Sequence, residues 1–393
     1  MDAAGLTALL APDGWALLSA LPPYDEKLAM PLSQRLRAEG LDPVLVSAAL
    51  TQSRLRAKAH TKLGDFADGM LFTQAGLEQA TRLEVAAHHA RRYRDAGLTH
   101  VADLTCGIGA DAMAFAGVGL RVTASDVDEM TAAIATVNLR HFPEATVRHG
   151  DGLTQDLTGI DGLYADPARR TAHGSRLFDP SAYAPPLDAV LSLREKVPAL
   201  GLKLGPGIPH SALPDDAHAQ WVSVGGDVVE VGLWFGPLAP EGPGRSALLL
   251  ADGASTVVAP GPDGPFDAEA GPVGAYLYEP DGAVIRSGLV GEVAQRVHGR
   301  LVDPTIAYVT SDDLVPTPTA TAYRVLDTMP FGLKRLRTYL RERGVGRLTI
   351  KKRGTAVVPE QLRKQLDLRG DQGATIVLTR VAGHQQVLVV EVV

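Results

Sequence analysis

Val101–Ala116 reads VADLTCGIGADAMAFA, and the order of residue types in it decides the fold. Val101 to Leu104 is a short apolar run that carries one acid, Asp103, just before its end. Cys106-Gly107-Ile108-Gly109 follows, and Asp111 to Ala116 then reads as the start of a helix. Strand, glycine turn and helix in that order open a nucleotide-binding βα unit. Two glycines let the backbone turn tightly and approach a ligand with no Cβ in the way. A second apolar run, Leu120–Ser125, ends at Asp126, about 20 residues past the loop, where such units place an acid on ribose hydroxyls. A dinucleotide fingerprint would need a third glycine, and CGIGAD lacks it.

Two further markers lie downstream: His149-Gly150-Asp151, and Asp166-Pro167-Ala168-Arg169 after the apolar Gly162–Ala165. With Asp103 inside the first strand, this series resembles the class I S-adenosylmethionine (SAM)-dependent methyltransferases. The resemblance implies that Asp103 lies near the amino end of the methionine moiety and Asp151 near adenine. It makes Cys106, Gly107 and Gly109 the cofactor loop. In amino-methylating relatives the Asp166 stretch is Asp/Asn-Pro-Pro-aromatic, in which the acid and a backbone carbonyl accept hydrogen bonds from the exocyclic amine while the ring stacks on the base. Asp166 and Pro167 match, whereas Ala168 replaces the second proline and Arg169 the ring. A guanidinium plane can stack on a base or grip a phosphate; alternatively Arg169 or Arg170 pairs with a nearby carboxylate. Asp166, Pro167 and Arg169 are the catalytic candidates.

Composition sets the class. The chain has 393 residues, 45% hydrophobic and 21% charged, a net charge of −7 and one cysteine. That length supports about two to three domains. A single cysteine excludes an intramolecular disulfide and a cysteine-rich metal site, so no metal is expected. Methylation of pyrimidine carbon-5 usually needs a cysteine nucleophile on the base; Cys106 stands in the cofactor loop, so transfer to nitrogen or oxygen is expected instead. The first residues lack a basic region followed by a long apolar run, and no run approaches 18 apolar residues. A cytoplasmic protein without a membrane partner is the expectation.

Residues 1–95 read as helices. Leu77, Ala80, Leu83, Ala87 and Ala90 recur at helical spacing, which suggests a helical cap on the core. Phe72-Thr73, Glu78-Gln79-Ala80-Thr81 and His88-His89-Ala90-Arg91 look like the segment preceding the core in trimethylguanosine-synthase-like RNA methyltransferases. That resemblance implies that the segment closes over the cofactor and makes Gln79 and Thr81 cofactor contacts. His88 and His89 read as helix-surface residues.

From 96 to 260, short apolar runs alternate with helical stretches, the pattern of a parallel sheet covered by helices. Strands are expected near 100–105, 120–125, 145–148, 161–165, 199–204, 228–235 and 246–251, giving a Rossmann-like, seven-stranded α/β methyltransferase sheet. Lys203 falls at the substrate mouth or is a plain surface charge. Dense glycine and proline over 236–272 place a boundary between about 255 and 275.

Residues 270–393 then read as a third, α+β domain, ending as helix, strand, helix and a hairpin. It resembles the THUMP-like domains attached to RNA-modifying enzymes. Between 331 and 369 there are twelve Lys/Arg against three acids, a balance of +9 in a chain of −7. Concentrated positive charge is the footprint of a phosphate-backbone ligand, with Lys351, Lys352 and Arg353 as substrate-binding candidates. The alternative is a solvated helix face with a basic hairpin. The chain thus reads as a SAM-dependent methyltransferase acting on a base nitrogen of tRNA or rRNA. Its alternatives are a small-molecule or protein methyltransferase, and a non-catalytic RNA-binding module with a relic cofactor fold.

Overall fold

In the computed structural model, residues 2–169 and 182–393 are described; they form two units, Met1–Leu204 with Leu233–Gly242, and Gly205–Gly232 with Pro243–Val393. The expected helical start of the chain is present as α1 (Ala3–Leu10), α2 (Pro12–Ala20), α3 (Glu26–Ala38) and α4 (Pro43–Leu63). Aspartates begin three of them. Asp2, Asp25 and Asp42 accept hydrogen bonds from the backbone N–H groups of Gly5, Lys27 and Val44, satisfying donors that a helix start leaves unpaired. Pro12 and Pro43 sit in first turns, where no N–H is needed.

The apolar repeat from 77 to 90 does not form one helix. It breaks into α5 (Gln74–Gln79) and α6 (Leu83–Asp95), with Ala80–Arg82 extended between them. Helical spacing counts apolar positions and is blind to a three-residue interruption that turns Thr81 inward.

Strands β1 (His100–Asp103), β2 (Arg121–Asp126), β3 (Ala145–His149), β4 (Gly162–Ala165) and β7 (Leu200–Leu204) line up in the order β7-β4-β1-β2-β3, all four pairings parallel. Helices α7 (Ala110–Gly117), α8 (Glu129–Asn138) and α9 (Leu187–Ser192) cross between strands, and a small ribbon pairs β5 (Ala168–Arg169) with β6 (Tyr183–Ala184). The chain leaves β1 in one direction to β2 and β3 and returns on its other side as β4. That reversal opens a crevice at the strand ends.

Helix α6 packs close behind this sheet because two strand residues lack side chains. A Cβ on Gly201 would stand 2.4 Å from Tyr93 Oη, and one on Gly162 would meet the Tyr93 ring at 3.1 Å. Tyr93, Phe115, Tyr164 and Trp234 then fill the space as edge-on rings. Tyr93 donates its hydroxyl to the Leu163 carbonyl.

All seven expected strands are present. Two more, β8 (His218–Val224) and β11 (Ala254–Val258), stand beside β9 (Asp227–Trp234) and β10 (Gly244–Ala251). Gly225-Gly226, both at positive φ, turn β8 into β9, and a tight glycine turn makes one long apolar run hide two strands. The units divide at Leu204/Gly205, earlier than the glycine- and proline-rich stretch at 255–275, because β8 and β10 pack with α10 (Gly282–Ser287). Beyond it come β12 (Tyr276–Pro280), α11 (Val290–Arg296), β13 (Arg300–Asp303), β14 (Ile306–Ser311) and β15 (Ala320–Pro330). The chain ends as α12 (Leu333–Glu342), β16 (Val345–Lys352), α13 (Pro359–Leu366), β17 (Gln372–Val381) and β18 (His384–Val392), the helix, strand, helix and hairpin expected. The sheet order is β13-β14-β12-β15-β18-β17-β16, with Leu336, Leu340, Leu362 and Leu366 buried against Ile376 and Val387.

Asp303 is the buried electrostatic anchor of this unit. At 3% exposure it accepts from Thr305 N at 3.0 Å, Thr305 Oγ1 at 2.8 Å and Gly383 N at 2.9 Å, and pairs with Arg380 at 3.3 Å. Burial alone would raise its pKa; the hydrogen bonds and Arg380 outweigh that and hold it at about 2. A depressed carboxylate stabilises the fold above its unfolded value of 3.8 and loses that contribution as pH falls towards 2. Asp303→Ala should cost about 2–4 kcal/mol and flatten the acid limb of a thermal-melt profile between pH 4 and 2.

Candidate active site

A cavity of about 480 Å³ opens at the carboxyl ends of the first unit's strands, a size suited to a small-molecule ligand. Asp103, Asp126, Asp151 and Asp166, scattered over 64 positions, all line it, and so do Gln79, Thr81, Cys106 and Gly107. Gly109 and Pro167 do not. Gly109 starts α7 at φ 87° with its backbone against Ala135 and Leu139, which fixes the loop from behind. Asn138 adds to that by donating to the carbonyls of Ile108 and Leu71.

Asp103 is 1% exposed. Its Oδ1 accepts from Thr105 N at 3.2 Å, while its Oδ2 is buried with no hydrogen-bond partner. Burial, reinforced by the neighbouring Asp111 carboxylate, pushes its pKa well above the ordinary carboxylate range. A buried acid oxygen without a donor costs free energy and fits a cationic ligand group. Asp126 accepts from Gly107 N at 3.0 Å and Asp128 N at 2.9 Å, so the acid at the second strand end also shapes the glycine loop. Burial raises its pKa as well. Asp151 lies exposed at the rim and accepts from Leu153 N at 2.9 Å.

Asp166 stands one residue past β4, its N–H donated to Thr105 Oγ1 at 2.7 Å. Its carboxylate pairs with Lys203 Nζ at 2.5 Å. Parallel register sets this up: Ala165 faces Leu202 across β4 and β7, so the next residues arrive level. Lys203 also donates to Thr81 Oγ1 at 2.8 Å, and Thr81 to Asp111 Oδ2 at 2.6 Å. Asp111 Oδ1 meets His89 Nδ1 at 2.9 Å. Burial alone would raise the Asp111 pKa; His89, Lys203 and Thr81 together hold it below the usual range.

His89 is therefore not a surface residue of its helix: it is 3% exposed and reaches the cavity floor through Asp111. Sequence reading also missed Asp111 as a site residue and left Lys203 between the substrate mouth and a plain surface charge. The available signals were an acid in the first turn after the glycine loop and a cation at the end of the strand beside Asp166. Cys106 is buried and reduced, and burial, with Asp103 and Asp126 nearby, pushes its thiol well up. A thiol so held is a poor nucleophile. The Arg169 backbone pairs with Tyr183, whereas its side chain and Arg170 lie outside the described residues.

The second unit holds the basic stretch. Lys351 is turned into an ion pair with Glu279 at 2.5 Å, Lys352 donates to the Val357 carbonyl at 2.9 Å, and Arg353 lies 5.5 Å from the Tyr308 ring centre. Among the described residues, Lys334, Arg335, Arg347 and Lys364 are exposed cations with no such partner.

Comparison with known proteins shows the family. An uncharacterised S-adenosylmethionine-dependent methyltransferase of Mycobacterium tuberculosis (strain CDC 1551 / Oshkosh) is 36% identical over 349 residues, covering 86% of this chain and 93% of its own. The chain belongs to the SAM-dependent methyltransferases. Its counterpart in strain H37Rv aligns to the same extent. The fold of this methyltransferase matches a structure from Porphyromonas gingivalis W83, assigned as a methyltransferase, with a TM-score of 0.72 and 20% identity over 94% of this chain and 99% of that one. A THUMP domain-like family model covers residues 320–391, and a domain of unknown function covers 2–59. The enzyme is thus a class I methyltransferase carrying a THUMP-like domain, and SAM is its methyl donor. The cavity's chemistry fits that donor: the orphaned Asp103 oxygen suits an ammonium, and a Cβ on Gly107 would meet nothing within 4 Å, so the turn is open. No described helix is long and apolar enough to cross a membrane.

Proposed function

We propose that this methyltransferase modifies a base nitrogen of tRNA or rRNA in the cytoplasm, with the SAM site in the domain 96–260 and RNA held by the domain 270–393. The observation that carries the reading is the THUMP-like match over 320–391 laid on the basic stretch 331–369. In this reading Asp103 takes the amino group of SAM, Asp126 the ribose, Asp151 the adenine edge, and Gln79, Thr81, Cys106 and Gly107 complete the pocket around a loop anchored by Gly109. SAM supplies an electrophilic methyl group. Asp166 accepts a hydrogen bond from the acceptor amine and orients its lone pair, Pro167 fixes the turn that presents that acid, and Arg169 stacks on the base or grips a phosphate.

Lys352 and Arg353 face the RNA, joined by Lys334, Arg335, Arg347 and Lys364, whereas Lys351 serves Glu279 first. If about five phosphates are gripped, log affinity should fall with log salt at a slope of about −3.5 to −4.5. Replacing Lys334 and Arg335 together by alanine should make that slope shallower by about 2, measured by fluorescence anisotropy on labelled tRNA. Transfer of labelled methyl from SAM to bulk RNA of cells lacking the protein, followed by nucleoside mass spectrometry, tests the activity. Methylation of a protein or small-molecule fraction alone would defeat the RNA assignment.

A further inference from the structure

One wall of the cavity is a segment that has little to hold it by itself. Thr73, Ala75, Gly76, Gln79, Ala80 and Thr81 all face the cavity, yet α5 within this segment is six residues long, too short to persist alone. Its end leaves carbonyls without helical partners. Lys62, in the last turn of α4, meets that need: its Nζ donates to the carbonyls of Leu77 at 2.9 Å, Glu78 at 2.6 Å and Ala80 at 3.2 Å. All three donors of one ammonium go to one stretch of backbone. Burial, then the cations of Arg82 and Lys203, presses the Lys62 pKa down from its ordinary range; the carbonyls hold the charge there against that repulsion. One residue beyond, Lys203 bonds Thr81 and pairs with Asp166.

We propose that Lys62 and Lys203 form a two-point clamp that sets the cofactor-facing wall 73–81, Lys62 being a positioning residue for SAM binding and Lys203 tying the same wall to Asp166. Neither lysine lines the cavity, so each acts through what it holds. The clamp rests on the reading that this cavity is the SAM site. It differs from a general stabilising role in being local: removing Lys62 frees the wall between α5 and α6 while the sheet and its core stay packed.

The test uses the full-length protein and SAM, with no acceptor, so it is independent of the RNA assignment. Calorimetry should show SAM affinity about tenfold or more weaker in Lys62→Met, with most of the loss recovered in Lys62→Arg, which restores a charged donor. Hydrogen exchange in Lys62→Met should quicken over 74–82 and stay at the wild-type rate in β1, β2 and β4. Lys203→Gln, which keeps a donor, should bind SAM more tightly than Lys203→Met. Unchanged SAM affinity in Lys62→Met, or equal loss in Lys62→Arg, overturns the clamp; so does faster exchange throughout the unit. Asp103→Asn run in parallel separates the two readings. If it weakens SAM binding and Lys62→Met does not, the cavity stands and the clamp falls; if neither weakens it, both fall.

Discussion

Asp103→Asn should weaken SAM binding by at least about 100-fold and, in the same protein, make the ligand-free fold less sensitive to rising pH. The first effect follows from the buried Oδ2 that has no donor of its own. A charge pair between that oxygen and an ammonium, shielded from water, contributes several times what an exposed pair does; an amide cannot replace it. The second effect follows from the direction of the pKa shift. A carboxyl whose folded value is raised stabilises the fold below its unfolded value and loses that contribution as pH rises through the folded one. Wild-type protein without ligand should therefore lose stability as pH rises above the unfolded value of 3.8, and Asp103→Asn should lose less. Adding SAM should reverse the order, since the ligand stabilises only the state that binds it. Thermal melts across pH 5–9, with and without SAM, read all of this; a parallel pH dependence in both proteins would remove Asp103 from the cofactor role.

Asp166→Ala should lower methyl transfer by about 10³-fold, the span of a general-base or orienting group, with SAM affinity within about threefold of wild type. The proposed role explains the split: the carboxylate, which lines the cavity paired with Lys203, would orient the acceptor, while its backbone N–H is fixed on Thr105 Oγ1. Labelled-methyl transfer and calorimetry on one preparation separate turnover from binding. Loss of SAM affinity comparable to the loss of turnover would move Asp166 into the cofactor set.

Much of this was written plainly in the chain. Strand, glycine turn and helix are local patterns, so the five parallel strands and the acids at their ends could be read without coordinates. Convergence of Asp103, Asp126, Asp151 and Asp166 on one cavity is then a consequence of parallel strands ending on one side. What escaped reading was pairing across distance. Lys203 stays undecided between the substrate mouth and a surface charge until β7 is known to lie beside β4, and His89 looks like any polar helix residue until α6 is seen against Asp111. Thr81 was read as facing the cofactor from a resemblance, but its bond to Asp111 depends on the break after α5, which periodicity conceals. Counting charge also cannot show which cations already donate within the unit, as Arg337, Arg341 and Arg363 do to its backbone carbonyls.

Gly162 and Gly201 carry no chemistry, yet a hydrogen atom in place of a methyl at each lets Tyr93 seat directly on the strands. His89 is one helical turn before Tyr93, so the depth of that seating is also the depth of its imidazole. The setting of Asp111, the cavity acid that His89 bonds, is thereby governed from behind the strands, by two residues that contribute nothing but room.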